Sequence, residues 1–423
     1  MAEATAKDRW PKLVQGLVDE MERSCSLREK KEEVEEGHAI AKKLAQLKSD
    51  IEQNRRLVPL EEADGDDIGL YNRQLHDFGT CTWRAAPWLF AECYMYRHIQ
   101  AMFSTSLHWQ GFDVFKEQKD SSFANSRAAV EELAGRYMQV HEAGIVEDEA
   151  KRRLLFEEMT HIALWGNATD LSLLTNLSFE DMGALQGASA MEKNRRNIIV
   201  NDIDRVYRHL TDLATSHRRI DIVLDNAGFE FFTDLIYASY LLHAGLASHI
   251  VLHTKSFPWF VSDVTPGDVS TCLDDLERSD IFPGRTSLDP VGRLLRSHFS
   301  KGEISVMDHP FWTTASPFQS LPTEAPDLYA NLCQSDLVVF KGDLNYRKLT
   351  NDGRWPYTTP FTTALGSIGA HSGLRILALR TNKSDVCVGL LSEDQVKQLD
   401  EEAPNQAWVR NGKYAVVSYS DGQ

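Results

Sequence analysis

The chain has 423 residues, of which 42% are hydrophobic and 25% are charged, a composition typical of a globular protein with a sizeable core. Its formal net charge of −17 repels phosphate backbones and acidic membranes, so general binding to nucleic acids or membranes is not expected. No segment approaches the roughly 18 uninterrupted apolar residues of a membrane span, and the first residues lack the apolar core of a signal peptide. The six cysteines are scattered without a C-x-x-C pair, which argues against a zinc site or a disulfide framework. We expect the protein in the cytoplasm and leave the nucleus open as a further location.

Helical patterns dominate the first part of the chain. Charged amphipathic segments extend to about residue 60, and further helical patterns extend to about residue 164. The later stretch "IIVNDIDRVYRHLTDLATSH", which begins at Ile198, predicts one more long helix. We therefore predict an all-helical domain over residues 1–185 and an α/β domain that binds metal and phosphate over residues 186–423.

The second part of the chain alternates short apolar runs with segments of helical length. The runs that predict strands are Asp221–Asn226, His249–Lys255, Glu303–Asp308, Leu337–Asp343, Leu374–Thr381 and Lys413–Tyr419. Such alternation predicts an α/β fold with a mainly parallel, Rossmann-like sheet covered by helices.

Oxygen-bearing side chains end or follow several of these strands. Asp225 and Asn226 end the first strand, and Asp263 follows the second. In open α/β sheets the ligands bind beyond the carboxyl ends of the strands, so we expect these side chains to meet there. Carboxylate and amide oxygens suit hard or borderline divalent cations such as Mg²⁺ or Mn²⁺. An alternative is that Asp and Asn end strands only because they start turns or cap the next helix.

Basic side chains follow two other strands. Lys341 and Arg347 flank Asp343, and Arg380 and Lys383 follow the strand that ends near Thr381. Lysine and arginine at these strand ends would hold a phosphate, and Asp343 would orient or deprotonate a water nucleophile or attack the phosphorus itself. The alternative for the basic residues is that they are ordinary surface charges.

Five motifs on these strand ends resemble a known family. They are "LDNAGFEFFTDL", "PWFVSD", "APDLYANL", "FKGDLNYRKLT" and "RTNK". Together they resemble the domain of unknown function 89 family, the metal-dependent damage-control phosphatases, and in particular the subfamily of the animal acidic residue methyltransferase proteins and a fungal sugar phosphate phosphatase. With "APWLFAECYMYR" and "LWGNATDLS", the resemblance extends from about residue 60 to the end of the chain.

The resemblance implies roles for individual residues. Asp225, Asn226 and Asp263 would bind a divalent metal, which would be Mn, Ni, Co or Mg, and Asp343 and Asp225 would be catalytic. The implied substrate-binding residues are Asp225, Asn226, Glu230, Asp263, Asp343, Leu344, Asn345, Tyr346, Arg347 and Lys383. Glu230 also matches a position that binds the methyl donor in the family. The alternative for Glu230 is that it only begins the helix after the strand, where an acid is favoured by the positive end of the helix dipole. Further contributions to the site are expected from Glu92, Arg97, Asn167 and Asp170 in the helical domain. The alternative for Asn167 and Asp170 is that they form a capping loop.

The leading functional prediction is metal-dependent hydrolysis of small sugar phosphates such as fructose 1-phosphate and fructose 6-phosphate, which would remove reactive metabolites. The alternative from the same family is a protein-glutamate O-methyltransferase that uses S-adenosylmethionine as cofactor and acts on protein substrates. The segment "LDNAGFE" offers one glycine and hard oxygen donors, which favours the phosphatase, because cofactor-binding sheets commonly have a glycine-rich turn after a strand. A third alternative is a binding protein that keeps the fold without catalysis.

Overall fold

A computed structural model describes residues 5–61, 67–143, 148–166, 195–213, 217–284 and 288–423. These residues form two compact units. The first unit contains Met1–Gln118, Lys255–Ser262 and His309–Ser316, and the second contains Lys119–Thr254, Asp263–Asp308 and Pro317–Gln423. The predicted domain boundary at residue 185 lies outside the described residues, as do Asn167 and Asp170.

The described chain contains helices in both units and strands in the second. The helices are α1 (Trp10–Ser26), α2 (Lys31–Glu52), α3 (Ile68–Asp77), α4 (Trp88–Ser104), α5 (Lys116–Asn125), α6 (Arg127–Ala143), α7 (Glu149–Trp165), α8 (Ile203–Asp212), α9 (Phe229–His243), α10 (Pro266–Asp275), α11 (Leu288–Ser300), α12 (Leu321–Glu324), α13 (Pro326–Leu332), α14 (Gly342–Leu349), α15 (Phe361–Ala364) and α16 (Glu393–Glu402). The strands are β1 (Ile198–Asn201), β2 (Arg219–Val223), β3 (His249–Thr254), β4 (Ile304–Asp308), β5 (Leu337–Lys341), β6 (Ile376–Thr381) and β7 (Ala415–Ser420).

The first unit is helical, as its sequence predicts. Helices α1 and α2 pack against each other. Each buries an apolar row in which residues recur at spacings of four and three, the pattern of a helix with one face in the core. The rows are Trp10, Val14, Leu17 and Met21 in α1, and Ile40, Leu44, Leu47 and Ile51 in α2.

The second unit is built around a seven-stranded sheet with the order β1-β7-β6-β5-β2-β3-β4. The five strands from β6 to β4 run parallel, whereas β7 is antiparallel to β6 and β1 is parallel to β7. Every residue of β5 and of β6 is buried, which explains why both strands are apolar without alternation until the basic residues Lys341 and Arg380 near their ends. The prediction of a mostly parallel α/β sheet covered by helices is confirmed.

One element was predicted wrongly. The first four residues of the stretch that predicts a long helix form β1, and α8 begins only at Ile203. Strand β1 is short and pairs with β7, more than 200 residues later in the chain. Such a distant partner leaves no local signal in the sequence, so the strand resembled the first turn of the helix that follows it.

The order of the strands determines where a ligand would bind. The chain passes from β2 to β3 on one side of β2, and β5 pairs with β2 on the other side. The crevice between two such strands, beyond their carboxyl ends, is the usual ligand site of an open α/β sheet. In this sheet the crevice lies between the ends of β2 and β5.

Candidate functional site

Three residues with oxygen-bearing side chains lie next to one another beyond β2. The backbone of Asn226 forms an isolated bridge with Asp263, and the carbonyl of Asp225 accepts a hydrogen bond of 2.9 Å from the amide of Val264. Asp225 is only 5% exposed and Asp263 only 2%. Asp263 and Val264 therefore lie against the end of β2, next to Asp225 and Asn226, the other two predicted metal ligands.

The end of β5 reaches the same place through Gly342. This glycine starts α14 with a φ of +83°, and a Cβ atom on it would overlap the carboxyl group of Asp225. A residue with a side chain would be strained in this backbone conformation, and its Cβ atom would clash with Asp225. The carboxyl of Asp225 thus packs directly against the first residue of α14, next to Asp343.

A buried chain of polar contacts extends from Asp225 into helix α9. The amide nitrogen of Asn226 donates to Oδ2 of Asp225 at 2.7 Å and to Oε2 of Glu230 at 2.8 Å. The ammonium group of Lys341 donates to Oε1 of Glu230 at 3.3 Å and to Oδ1 of Asp234 at 2.7 Å. These contacts connect the ends of β2 and β5 through two carboxylates of one helix.

The buried charges shift each other's pKa. Burial raises the pKa of Asp234 to about 7, with Lys341 opposing the shift. Burial alone would lower the pKa of Lys341, but the carboxylates of Asp234 and Glu230 outweigh it and raise that pKa above its ordinary value. Lys341 is therefore a charged ammonium group in the interior of the unit, where it is 1% exposed.

Asp343 is held as a carboxylate by donors from the end of β6. Its Oδ1 accepts hydrogen bonds from Nε of Arg380 at 2.7 Å, from the backbone amide of Lys383 at 3.1 Å and from the hydroxyl of Ser384 at 3.1 Å. Burial would raise the pKa of Asp343, but the charges of Arg380 and Arg347 outweigh it and hold the pKa below its usual range. Asp343 is thus ionised and fixed in orientation.

The four basic residues predicted to hold phosphate lie in different environments. Lys341 and Arg380 are buried and hydrogen-bonded to carboxylates, and Arg347 forms a two-pronged ion pair with Asp352 at 2.9–3.1 Å. The side chain of Lys383 is exposed. Lys341 and Arg380 therefore bind carboxylates in the interior of the unit. Lys383, by contrast, has the exposure that contact with a soluble anion requires.

The other predicted substrate-binding residues of α14 hold this helix in place. The amide nitrogen of Asn345 donates to the backbone carbonyls of Val223, Leu224 and Lys341 at 2.7–3.3 Å. Leu344 and Tyr346 are buried, and the guanidinium of Arg380 lies 4.4 Å from the ring centroid of Tyr346. These contacts fix α14 at the end of β2, and direct contact of these residues with substrate stays a prediction.

The donor set suits a hard or borderline divalent cation. Within the described ranges, no group of three or more His, Cys, Asp or Glu side chains has the arrangement of a metal site. The set at the end of β2 instead combines the carboxylates of Asp225 and Asp263 with the amide of Asn226, and all of its donor atoms are oxygens. Burying two carboxylates is costly, and a divalent cation would offset that cost. Asp225, Asn226 and Asp263 therefore fit the metal that the family resemblance implies.

Sequence reasoning missed several residues that build the site. Asp234, Ser384 and Asp352 carry or pair the charges described above, and none of them was a candidate. A signal for Asp234 exists, because it lies four residues after Glu230 in the otherwise apolar run "FEFFTDLIYASY" and thus on the same helix face. Ser384 and Asp352 lie in loops, and nothing local distinguishes them.

Glu92 and Arg97, predicted to contribute from the helical domain, belong to the first unit. There Arg97 is 3% exposed and binds the carboxylate of Asp67 with two hydrogen bonds of 2.7 and 2.8 Å. Glu92 accepts a hydrogen bond of 3.4 Å from the indole of Trp10. Both residues thus have partners within their own unit.

A mostly parallel sheet with buried carboxylates at its switch point belongs to the class of open α/β proteins, and comparison with known proteins identifies the family. The model of the damage-control phosphatase ARMT1-like domain matches residues 5–399. Damage-control phosphatase ARMT1 of Mus musculus is 34% identical over 432 residues, which cover 98% of this chain and 95% of that protein. The ARMT1 proteins of Danio rerio and Homo sapiens are 34% and 33% identical, with 98% of this chain covered in both comparisons and 94% and 95% of those proteins. The chain belongs to the ARMT1-like damage-control phosphatase family.

The family match also includes most of the first 60 residues, to which the resemblance in the sequence did not extend. A crystal structure of a DUF89 family protein from Pyrococcus horikoshii matches with a TM-score of 0.40 at 13% identity, covering 97% of this chain and 98% of that chain. None of the helices in the described part of the chain is both long enough and apolar enough to span a membrane.

Proposed function

We propose that this protein is a divalent-metal-dependent phosphatase of small sugar phosphates such as fructose 1-phosphate and fructose 6-phosphate. The observation that carries the proposal is the meeting of Asp225, Asn226 and Asp263 with Gly342 and Asp343 at the switch point of the sheet. Hard oxygen donors on one side and an ionised, immobilised carboxylate on the other suit phosphoryl transfer.

The surroundings of each residue indicate its role in the proposed reaction. Asp225, Asn226 and Asp263 would hold the metal, which would supply Lewis acidity toward a phosphoryl oxygen. Asp343 has a pKa below its usual range, so it accepts a hydrogen bond from water or attacks phosphorus more readily than it removes a proton. A phosphoenzyme trapped on Asp343 would decide between these two roles. Lys383, which is exposed beside Asp343, would bind the phosphate of the incoming substrate as a point charge.

The proposal is tested by phosphate release from fructose 1-phosphate. Metal-stripped protein should be inactive, and adding back Mn²⁺, Co²⁺, Ni²⁺ or Mg²⁺ should restore turnover. Asp225→Asn should lower kcat/KM by at least about 100-fold, since it removes a charged group that acts directly at the reacting centre. Asp308→Asn is the matched control, because Asp308 ends β4 at the same edge of the sheet but is exposed and lies outside the site.

Equal activity of the metal-stripped and metal-loaded protein, or an Asp225→Asn variant as active as the Asp308→Asn control, would contradict the proposal.

The alternative of methyl transfer gains no support from the geometry of Glu230. This residue, which matches the methyl-donor position, is buried and already accepts hydrogen bonds from Asn226 and Lys341. Calorimetric binding of S-adenosylmethionine together with methyl ester formation would revive the alternative.

A further inference from the structure

Helix α9 places two carboxylates on one face, behind the proposed metal ligands. Glu230 and Asp234 lie four residues apart and are 4% and 1% exposed. Residues at this spacing are neighbours on a helix surface. Both occur in a helix that is otherwise mostly apolar, so their burial needs a compensating contact.

Lys341 supplies that contact from the last position of β5. Its ammonium group donates to both carboxylates, at 3.3 Å to Glu230 and at 2.7 Å to Asp234. Buried ion pairs are weak contributors to stability, because the desolvation of the charges offsets their attraction. Within the described part of the chain, Oδ2 of Asp234 is buried without a hydrogen-bond partner, which adds to the cost. Stability therefore does not explain why three charges are buried here.

Glu230 connects Lys341 to Asn226 by hydrogen bonds to both residues. One oxygen of Glu230 accepts from Lys341, and the other accepts from the amide nitrogen of Asn226 at 2.8 Å. The same nitrogen donates to Asp225 at 2.7 Å. The two ends of an asparagine amide have nearly the same shape, and only their hydrogen-bond partners determine which end faces where. A carboxylate that holds the nitrogen therefore determines where the oxygen of Asn226 points.

We infer that the buried pair of Lys341 and Asp234 positions Glu230, and through it the amide of Asn226, for binding of a divalent cation. Lys341, Asp234 and Glu230 act in this as positioning residues behind the ligands. The inference rests on the proposed metal site and deepens it. Groups that orient metal ligands commonly change metal affinity by about 10–100-fold when they are removed.

The sign of the effect of Lys341→Met on metal affinity tests the inference. Coulombic repulsion alone predicts that removing a buried positive charge near the site strengthens the binding of Mn²⁺. Positioning predicts the opposite, because Glu230 loses its partner and no longer fixes the amide of Asn226. Calorimetric titration of metal-stripped protein with Mn²⁺ should therefore show Lys341→Met binding at least about 10-fold more weakly than the unsubstituted protein.

A second variant covers the case in which Lys341→Met fails to fold. Asp234→Asn combined with Lys341→Met removes both partners of the ion pair and so leaves less uncompensated charge in the interior. It also leaves the net charge of the pair unchanged. A purely electrostatic role predicts normal Mn²⁺ affinity for this double variant, whereas positioning predicts affinity as weak as that of the single variant.

Lys119→Met is the matched control. Lys119 is also a buried lysine of the second unit, 5% exposed, and it pairs with Asp268 at 2.6 Å outside the chain of contacts described here. Its removal should leave Mn²⁺ affinity unchanged. Affinity of Lys341→Met equal to or tighter than that of the unsubstituted protein would overturn the inference while leaving the proposed function intact. Absence of Mn²⁺ binding by the unsubstituted protein would overturn the proposed function and the inference with it.

Discussion

Gly342 shows how a single residue without a side chain makes the site possible. Its φ of +83° lies in the left-handed region, and the carboxyl of Asp225 occupies the space that a Cβ atom would need. The glycine thus meets two separate requirements, one of backbone conformation and one of space. The motif "FKGDLNYRKLT" contains this glycine, but only the structure shows that the carboxyl of Asp225 occupies the position that its Cβ atom would take.

Gly342→Ala should impair phosphate release. The alanine methyl would displace the carboxyl of Asp225, and we expect kcat/KM for phosphate release to fall by at least about 10-fold, in addition to a destabilisation of about 1 kcal/mol or more from the strained backbone. Gly302→Ala separates the two effects. Gly302 has a φ of +71°, but nothing lies within 4 Å of its Cβ position. This control should lose a similar amount of stability in urea unfolding and keep its activity, and retention of activity by Gly342→Ala would contradict the expectation.

Helix α7 carries titratable groups whose burial makes stability depend on pH. Glu158 is 6% exposed, and its Oε2 has no hydrogen-bond partner among the residues that the structure describes. Burial raises the pKa of Glu158 to about 7, with Arg136 of α6 opposing the shift. Burial also lowers the pKa of His161 on the same helix to about 4. The helix therefore favours the uncharged forms of both groups.

Glu158→Gln should stabilise the protein, and more so as the pH rises. Between pH 4.5 and about 7 the unfolded chain loses the proton of Glu158 while the folded chain keeps it, so stability falls through this window and stays low above it. Glutamine removes this penalty, which amounts to about 3 kcal/mol at pH 8 and much less at pH 5. His161 is present in both proteins, so its own pH dependence cancels in the comparison. Urea unfolding at both pH values measures the difference.

Glu149→Gln is the control on the same helix, because Glu149 is exposed and its substitution should change stability by less than about 0.5 kcal/mol at either pH. A gain for Glu158→Gln that is equal at pH 5 and pH 8 would show that the carboxyl titrates normally in the folded protein.

The elements of the sheet could be predicted where each carries a local signal. Strands β2 to β7 were found as short runs rich in apolar residues, with ends that differ by a few residues. The central strands β5 and β6 are buried on both faces and therefore largely apolar, whereas β4 at the edge of the sheet has residues that are partly exposed. Strand β1 and the antiparallel direction of β7 could not be predicted, since both depend on pairing between distant segments. The same limit applied to the site. The place of Asp225 at a strand end could be predicted from its position in the chain, whereas the contact of Asp234 with Lys341 depends on the fold, which brings the two residues together.

The division of the whole chain into units is another property that the sequence does not show. The first unit includes Lys255–Ser262 and His309–Ser316, two segments that follow β3 and β4 directly. Helices α6 and α7 pack on α9 and so belong with the sheet, although their sequences resemble those of the preceding helices. Helical periodicity indicates which face of a helix is buried but not which partner buries it.

At the scale of the whole molecule, metal binding should increase the free energy of unfolding. A ligand that binds only the folded protein stabilises it by about 2.7 kcal/mol when its concentration is 100 times Kd. The proposed ligands belong to segments that separate on unfolding, the end of β2 and the loop after β3, so the unfolded chain cannot present them together. For a unit of this size we expect Mn²⁺ at that concentration to raise Tm by roughly 4–5 °C in scanning calorimetry.

Asp263→Asn should abolish this rise in Tm. The substitution lies in the segment after β3 and leaves the ligands at the end of β2 unchanged, but we expect the metal to need ligands from both segments. The net charge of −17 attracts divalent cations without any specific site, so a small rise in Tm can arise from screening alone. Repeating the scans in about 0.2 M NaCl suppresses that contribution, because the Debye length is then below about 8 Å. A rise that persists in salt for the unsubstituted protein and is absent in Asp263→Asn assigns the stabilisation to the site, whereas equal shifts in both proteins would place the metal elsewhere.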